Sequence, residues 1–189
     1  MRQIVTILAW VIVIGATAWT ATVVAEPSVA HTDLELRVGE EYLCGTCGPE
    51  RFRTTVQVFA NRLFPIRRIG EGVLEIGPYG KGALLDGGHV PQIAGGVVVG
   101  YRFGAYEVLG NAGLAYATER IGSSASPDSG QTKHTYDLGL SLRYDINRYY
   151  VSVGYQHNSN GHDAGLNFIS GKGSNPGIDT WFVGVGVRF

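Results

Sequence analysis

From about residue 30 onward, large apolar residues alternate with small or polar ones, and no stretch repeats with the 3.6-residue period of a helix. The alternation falls into eight segments, roughly 33–41, 53–62, 71–79, 92–103, 106–120, 134–146, 149–159 and 178–189. Most come close to the roughly 9–11 residues that a tilted strand needs to cross a bilayer. Three segments show what each face carries. In 134–146, Tyr136, Leu138, Leu140, Leu142 and Tyr144 oppose Asp137, Gly139, Ser141, Arg143 and Asp145. In 149–159, Tyr149, Val151, Val153 and Tyr155 oppose Tyr150, Ser152, Gly154 and Gln156. In 178–189, Trp181, Val183, Val185, Val187 and Phe189 oppose Thr180, Phe182, Gly184, Gly186 and Arg188. A small soluble barrel fills its interior with large apolar side chains and wets its outside. Here one face is large and apolar while the other is small, polar and charged, the apolar-out, polar-in pattern of a lipid-embedded barrel.

The connections carry the topology. If the first strand runs outward, connections after even strands are periplasmic and should be short. Phe103-Gly104-Ala105-Tyr106 and Asp145-Ile146-Asn147-Arg148 read as tight turns, whereas the Gly/Ser/Pro/Asp-rich segments 42–52, 80–91, 121–133 and 160–177 all fall on the outer side. The stretch from Pro65 to Gly70 reads as a longer periplasmic link than the pattern otherwise shows. Tyr101, Phe103, Tyr106, Tyr144, Tyr149 and Phe189 come near the periplasmic rim, and Tyr136, Tyr155 and Trp181 near the outer one. Two aromatic girdles are expected there, because amphipathic rings prefer membrane interfaces. A final strand closing on Phe189 resembles the terminal recognition signal of bacterial outer-membrane proteins. By parity Arg102, Arg143, Asp137, Asp145 and Arg188 point inward, where an ion-pair network fits better than a transport path, since eight strands leave little open lumen.

The expected architecture is therefore all-β: one eight-stranded antiparallel transmembrane β-barrel of the bacterial outer membrane, over residues 26–189. The first 25 residues differ. A short positive start, Met1-Arg2-Gln3, precedes an almost uncharged apolar run from Ile4 to Val24, and Val23-Val24-Ala25 leads into Glu26. This reads as a secretory signal peptide cleaved after about Ala25. The alternative is an uncleaved membrane helix, because the run is about long enough to span a bilayer. Either places the chain in the envelope.

Composition narrows the classes further. Twenty-eight glycines, ten tyrosines, seven phenylalanines and one methionine point away from helices. A net charge of −1 with no basic stripe argues against nucleic acid. Cys44 and Cys47 form a lone CxxC. A zinc site would want two more soft ligands and a redox site a βαβ context, so a local disulfide in an oxidising compartment is the simpler reading.

The stretch Tyr155-Gln156-His157-Asn158-Ser159-Asn160-Gly161 and, after a loop, Asn175-Pro176-Gly177-Ile178-Asp179-Thr180-Trp181 carry the candidate chemistry. Period-two alternation puts His157 and Ser159 on the lipid face, at its outer end, and Asp179 on the lipid face at the start of the last strand. Hairpin pairing sets Asp179 opposite or diagonal to them, with Cβ atoms about 5 Å or about 7–8 Å apart. A serine hydroxyl is a poor nucleophile until a base takes its proton, and an imidazole suits that role near neutral pH. A carboxylate fixes the imidazole tautomer and stabilises the imidazolium that forms. The side chains of Asn160 or Asn175, or nearby backbone N–H groups, are candidates for holding the oxyanion. The bond attacked would be an ester at the membrane surface, with no metal or organic cofactor implied. A polar rim pair is the plain alternative for His157 and Ser159. His31, His89 and His134 fall in no such constellation, and none is assigned a role.

His-x-Ser-Asn ending a penultimate strand, followed by Asn-x-Gly-Ile and a carboxylate opening the last strand, resembles the lipid A 3-O-deacylases. The resemblance implies an eight-stranded outer-membrane barrel that removes the ester-linked acyl chain from the 3-position of lipid A in lipopolysaccharide. It implies catalytic roles for His157, Ser159 and Asp179, and matches Asn160 and Asn175 to the asparagines of the two motifs. The family carboxylate is usually Glu; Asp179 is one methylene shorter. The loop between the motifs is longer and contains His162 and Asp163, which either meet a headgroup or are solvated. Two rivals share much of the pattern: a non-enzymatic barrel acting as an adhesin or envelope-binding protein, and another outer-membrane lipid esterase or acyltransferase. A homodimer is left open.

Overall fold

The computed structural model of the protein describes residues 29–43, 52–85, 88, 90–118, 134–159 and 177–189. The expected signal peptide, Cys44, Cys47, His89, Asn160, His162, Asp163 and Asn175 lie outside the described residues. Eight strands close on themselves: β1 (His31–Leu43), β2 (Phe52–Ile69), β3 (Gly72–Leu85), β4 (Val90–Phe103), β5 (Tyr106–Ala117), β6 (His134–Ile146), β7 (Tyr149–Ser159) and β8 (Ile178–Arg188). Each pairs antiparallel with the next, and β1 pairs with β8 from Asp33↔Arg188 to Leu43↔Ile178. Closure leaves no sheet edge, so the strands' backbone polar groups find partners inside the protein, as a hydrocarbon surrounding demands.

Burial follows the alternation throughout. In β1, Asp33, Glu35 and Arg37 are buried while Leu34, Leu36 and Val38 are exposed. The core is thus inverted, with charge inside and aliphatic side chains turned to the surroundings. Such a surface is stable only where lipid covers it.

Two boundaries differ from the sequence reading. Pro65–Gly70 is not a long link: β2 runs on to Ile69 and returns through a two-residue turn at Gly70 and Glu71, with Gly70 at φ 59°. The ladder shifts register between Pro65 and Arg67. Proline has no N–H to give a ladder, and a bulge absorbs it without ending the strand. The segment 80–91 is likewise mostly ladder, because β3 continues through Leu85 and β4 begins at Val90. Gly80 and Gly82 lie on the lipid face with open space beside them, while Lys81, Ala83 and Leu85 point inward. The other periplasmic turns, Gly104-Ala105 and Asn147-Arg148, also take two residues, with positive φ at Gly104 (57°) and Asn147 (61°).

Among the described residues, buried charged and polar side chains run along the lumen. In its periplasmic half, Arg143 donates to Asp33 (2.7 Å), Glu35 (2.6 Å) and Glu107 (3.3 Å), and Arg188 to Asp33 (2.9 Å), Asp145 (2.6 Å) and Glu107 (2.9 Å). Arg37 donates to Glu35 at 2.8 Å and lies 3.8 Å over the Phe59 ring, and Arg102 donates to Glu75. Phe59, Leu63, Tyr79, Val98 and Leu109 cluster beside this network. Further out, Lys81 pairs with Asp137, which also accepts from Tyr79 and Gln156 at 2.7 Å each. Ala83, Leu85, Val90, Ala117 and Ile178 form an apolar cluster at the outer ends of their strands. The ion-pair network expected from parity is therefore present. At the periplasmic rim, Tyr101, Phe103, Tyr106 and Tyr144 touch in series at 5.7, 5.8 and 5.2 Å between ring centroids, a continuous stretch of girdle.

Candidate active site on the lipid-facing wall

The site grows from the β7–β8 hairpin. Alternation in β7 sends Gln156 and Asn158 into the lumen, where both are buried, and leaves Tyr155, His157 and Ser159 outside. The register sets Tyr155 opposite Trp181 and His157 opposite Asp179. On the other flank, β6 places Leu138 beside His157 and Tyr136 beside Ser159. His157 is held between two strands that fix its backbone on both sides.

Of the two arrangements open from sequence, the opposed one is found. His157 Nδ1 lies 2.6 Å from Asp179 Oδ1. An ionised carboxylate only accepts hydrogen bonds, so in the neutral imidazole Nδ1 carries the proton and Nε2 presents its lone pair. The pair is partly open to its surroundings, with side-chain exposures of 32% for His157 and 18% for Asp179. Tyr155 Oη donates to the same Asp179 oxygen, and its ring packs tilted against Trp181 with centroids 5.0 Å apart. Tyr155 reads from sequence as a girdle residue. Its place two residues before His157, on the same face and diagonal to Asp179, is the signal that could have found it.

Gly177 explains the entry into β8. Its φ of +83° disfavours any side chain, and a Cβ there would lie 2.7 Å from His157 Cε1 and 3.3 Å from Nε2. One step further along the β7–β8 register, Gly177 comes level with Ser159. The Cε1–Nε2 edge of the imidazole is thus turned toward the end of the hairpin where Ser159 sits.

Ser159 occupies the same face as His157, two residues further out and partly exposed. Among the described residues the two side chains are not hydrogen-bonded. Two strand steps separate their Cα atoms by about 6.5 Å, and catalytic hydrogen bonds commonly tighten only when substrate binds. The structure brings His157 and Asp179 together and sets Ser159 beside them.

Inward of the pair along the lipid-facing wall, an apolar depression is lined by Leu140, Leu142, Val153, Tyr155 and Trp181. A second depression beside it is lined by Leu138, Gly139, Tyr155 and His157. The other described histidines stand apart. His134 packs tilted against Tyr116 with ring centroids 5.1 Å apart, and His31 is buried in the lumen. His31, Glu75 and Glu107 have donor atoms within 4.8 Å of one another, the residue types of a metal site. Arg102, however, donates to both His31 Nδ1 (3.1 Å) and Glu75, which makes the cluster part of the ion-pair network.

No protein family and no curated protein matches the chain in sequence. Solved structures do match in shape. The chain is similar to the outer membrane enzyme PagL, with a TM-score of 0.63 at 14% identity over 82% of this chain and 98% of PagL. It also aligns with Ail, the attachment invasion locus protein of Yersinia pestis, at a TM-score of 0.48 and 11% identity over 85% of this chain and 99% of Ail. Neisserial surface protein A gives 0.44 and 14% over 85% and 97%. At these identities the likeness is one of fold alone. The chain is an eight-stranded antiparallel β-barrel of the bacterial outer membrane.

Proposed function

We propose that this barrel is a serine esterase of the outer leaflet, hydrolysing the ester-linked acyl chain at the 3-position of lipid A. The observation that carries the reading is the His157–Asp179 pair on the lipid-facing wall, with Ser159 on the same face. A polar rim pair would not need an acid aligned on Nδ1 with Nε2 left as a base. The groove below the pair is apolar, as an acyl chain requires. Residues 1–25 act in this reading as the export signal for the barrel at 26–189.

The chemistry then runs in two halves. Ser159 Oγ attacks the ester carbonyl carbon while His157 Nε2 takes the hydroxyl proton. Asp179 holds Nδ1–H and stabilises the imidazolium. The negative oxygen of the tetrahedral intermediate takes hydrogen bonds from Asn160, Asn175 or backbone N–H groups. Collapse breaks the carbon–oxygen bond to the sugar, and Nε2 returns its proton to the departing 3-hydroxyl. Water, activated by Nε2, then attacks the acyl-serine and releases a fatty acid, regenerating Ser159. The site's place at the outer end of the lipid face admits water from outside while the acyl chain stays in the groove.

The test is fatty-acid release from lipopolysaccharide in detergent micelles by the refolded barrel. Native protein should release a 3-hydroxy fatty acid and Ser159→Ala none, with both folded by heat-modifiable gel migration. Equal release by the two, or none by either, contradicts the proposal. Release from phospholipid instead would reassign the site to a phospholipase.

A further inference from the structure

Tyr155 stands at a junction that the proposed triad does not use. Its ring rests on Trp181, and its hydroxyl donates to Asp179 Oδ1, the oxygen that lies 2.6 Å from His157 Nδ1. The terminal torsion of an aspartate is broad and roughly two-fold, so one hydrogen bond leaves its carboxylate free to swing. A second donor from another position on β7 fixes that plane. Around His157, β6 contributes Leu138 and Tyr136, β8 contributes Asp179 and Trp181, and β7 itself contributes Tyr155 and Ser159. Asp179 is the one acid in this set of described neighbours, so the orientation of the imidazole depends on it.

We propose that Tyr155 is a positioning residue of the ester-hydrolysis site: its hydroxyl holds the Asp179 carboxylate in the orientation that keeps His157 in the Nδ1–H tautomer. The inference rests on the esterase reading and adds to it a residue acting through the acid. Tyr155 supplies neither a proton nor a nucleophile to the substrate. Its removal should therefore lower turnover and leave substrate affinity in place.

Tyr155→Phe keeps the ring and its contact with Trp181 and deletes only the hydroxyl. With refolded, heat-modifiable protein, kcat on lipopolysaccharide should fall roughly tenfold, about the value of one hydrogen bond to a charged group, with KM unchanged. In an Asp179→Ala background the same change should have no further effect. A second readout is independent of activity. The 15N shifts of the His157 ring, assigned against His157→Asn, should report one Nδ1–H tautomer in the native protein and a tautomer mixture in Tyr155→Phe. An unchanged tautomer in Tyr155→Phe overturns the proposal, as does an equal loss of kcat with and without Asp179. If native protein hydrolyses nothing, the esterase reading fails, and the tautomer measurement still decides whether Tyr155 orients the pair.

Discussion

Arg143 is the strongest single test of the inverted core. It is fully buried in the lumen, and its guanidinium reaches Asp33 at 2.7 Å, Glu35 at 2.6 Å and Glu107 at 3.3 Å while lying 4.4 Å from the Tyr150 ring centroid. Arg143→Met keeps much of the side chain's length and removes its charge. Breaking a buried ion pair from one side costs about 3–5 kcal/mol, because the abandoned carboxylate stays buried. None of the three acids is left entirely alone: Asp33 and Glu107 retain Arg188, and Glu35 retains Arg37 and Ser152. The loss should therefore fall at the lower end, about 3 kcal/mol. With a urea slope of about 2 kcal/mol/M, the unfolding midpoint drops by about 1.5 M. The assay is urea unfolding of the barrel in lipid bilayers, followed by heat-modifiable migration and tryptophan fluorescence. Arg143→Lys should lose less, since an ammonium keeps the charge and forfeits only the planar fork. A midpoint for Arg143→Met equal to that of native protein would refute the reasoning. It would mean that the lumen is hydrated enough to screen these charges.

Other consequences are as concrete. Asp179→Asn should leave the fold intact and cut hydrolysis by about 10³–10⁴-fold, because an amide cannot hold the Nδ1–H tautomer; steady-state rates on micellar lipopolysaccharide measure it. Gly177→Ala adds a methyl 2.7 Å from His157 Cε1 at a φ of +83°. It should cost about 1–2 kcal/mol of backbone strain and displace the imidazole, so activity falls more than thermal stability. Leu140→Arg, at an exposed lipid-facing position midway along β6, should destabilise the barrel in bilayers by about 2–4 kcal/mol. Equal bilayer stability for Leu140→Arg and native protein would argue that this wall does not face lipid.

The barrel was legible because one rule, period-two alternation, decides both strand and face. Tyr149 through Ser159 reads directly as outward and inward sets, and the structure keeps every one of them. The same rule in β1 encodes the buried Asp33, Glu35 and Arg37 against the exposed Leu34, Leu36 and Val38. Which cation meets which acid is not encoded locally. Arg143 and Asp33 are 110 positions apart and meet only because the lumen brings their strands to one level. Boundaries failed where turn-forming residues sit within ladders. Pro65 reads as a breaker but is taken up by a bulge, and Gly80 and Gly82 read as loop but lie on the lipid face. Within the site, hairpin pairing was enough to bring Asp179 to His157. It was not enough to separate Tyr155 from the aromatic girdle, since both roles share a face and a height. Asn160 and Asn175 lie outside the described residues, so their part in holding an oxyanion stands as proposed.

Mass spectrometry of lipid A after exposure to the refolded native barrel and, in parallel, to Ser159→Ala decides whether this barrel cuts lipid A. Native protein should remove the mass of one ester-linked 3-hydroxyacyl chain, and the variant should leave lipid A intact. Unaltered lipid A from both, with both shown to be folded, would contradict the esterase reading and leave a barrel that binds at the cell surface without cutting.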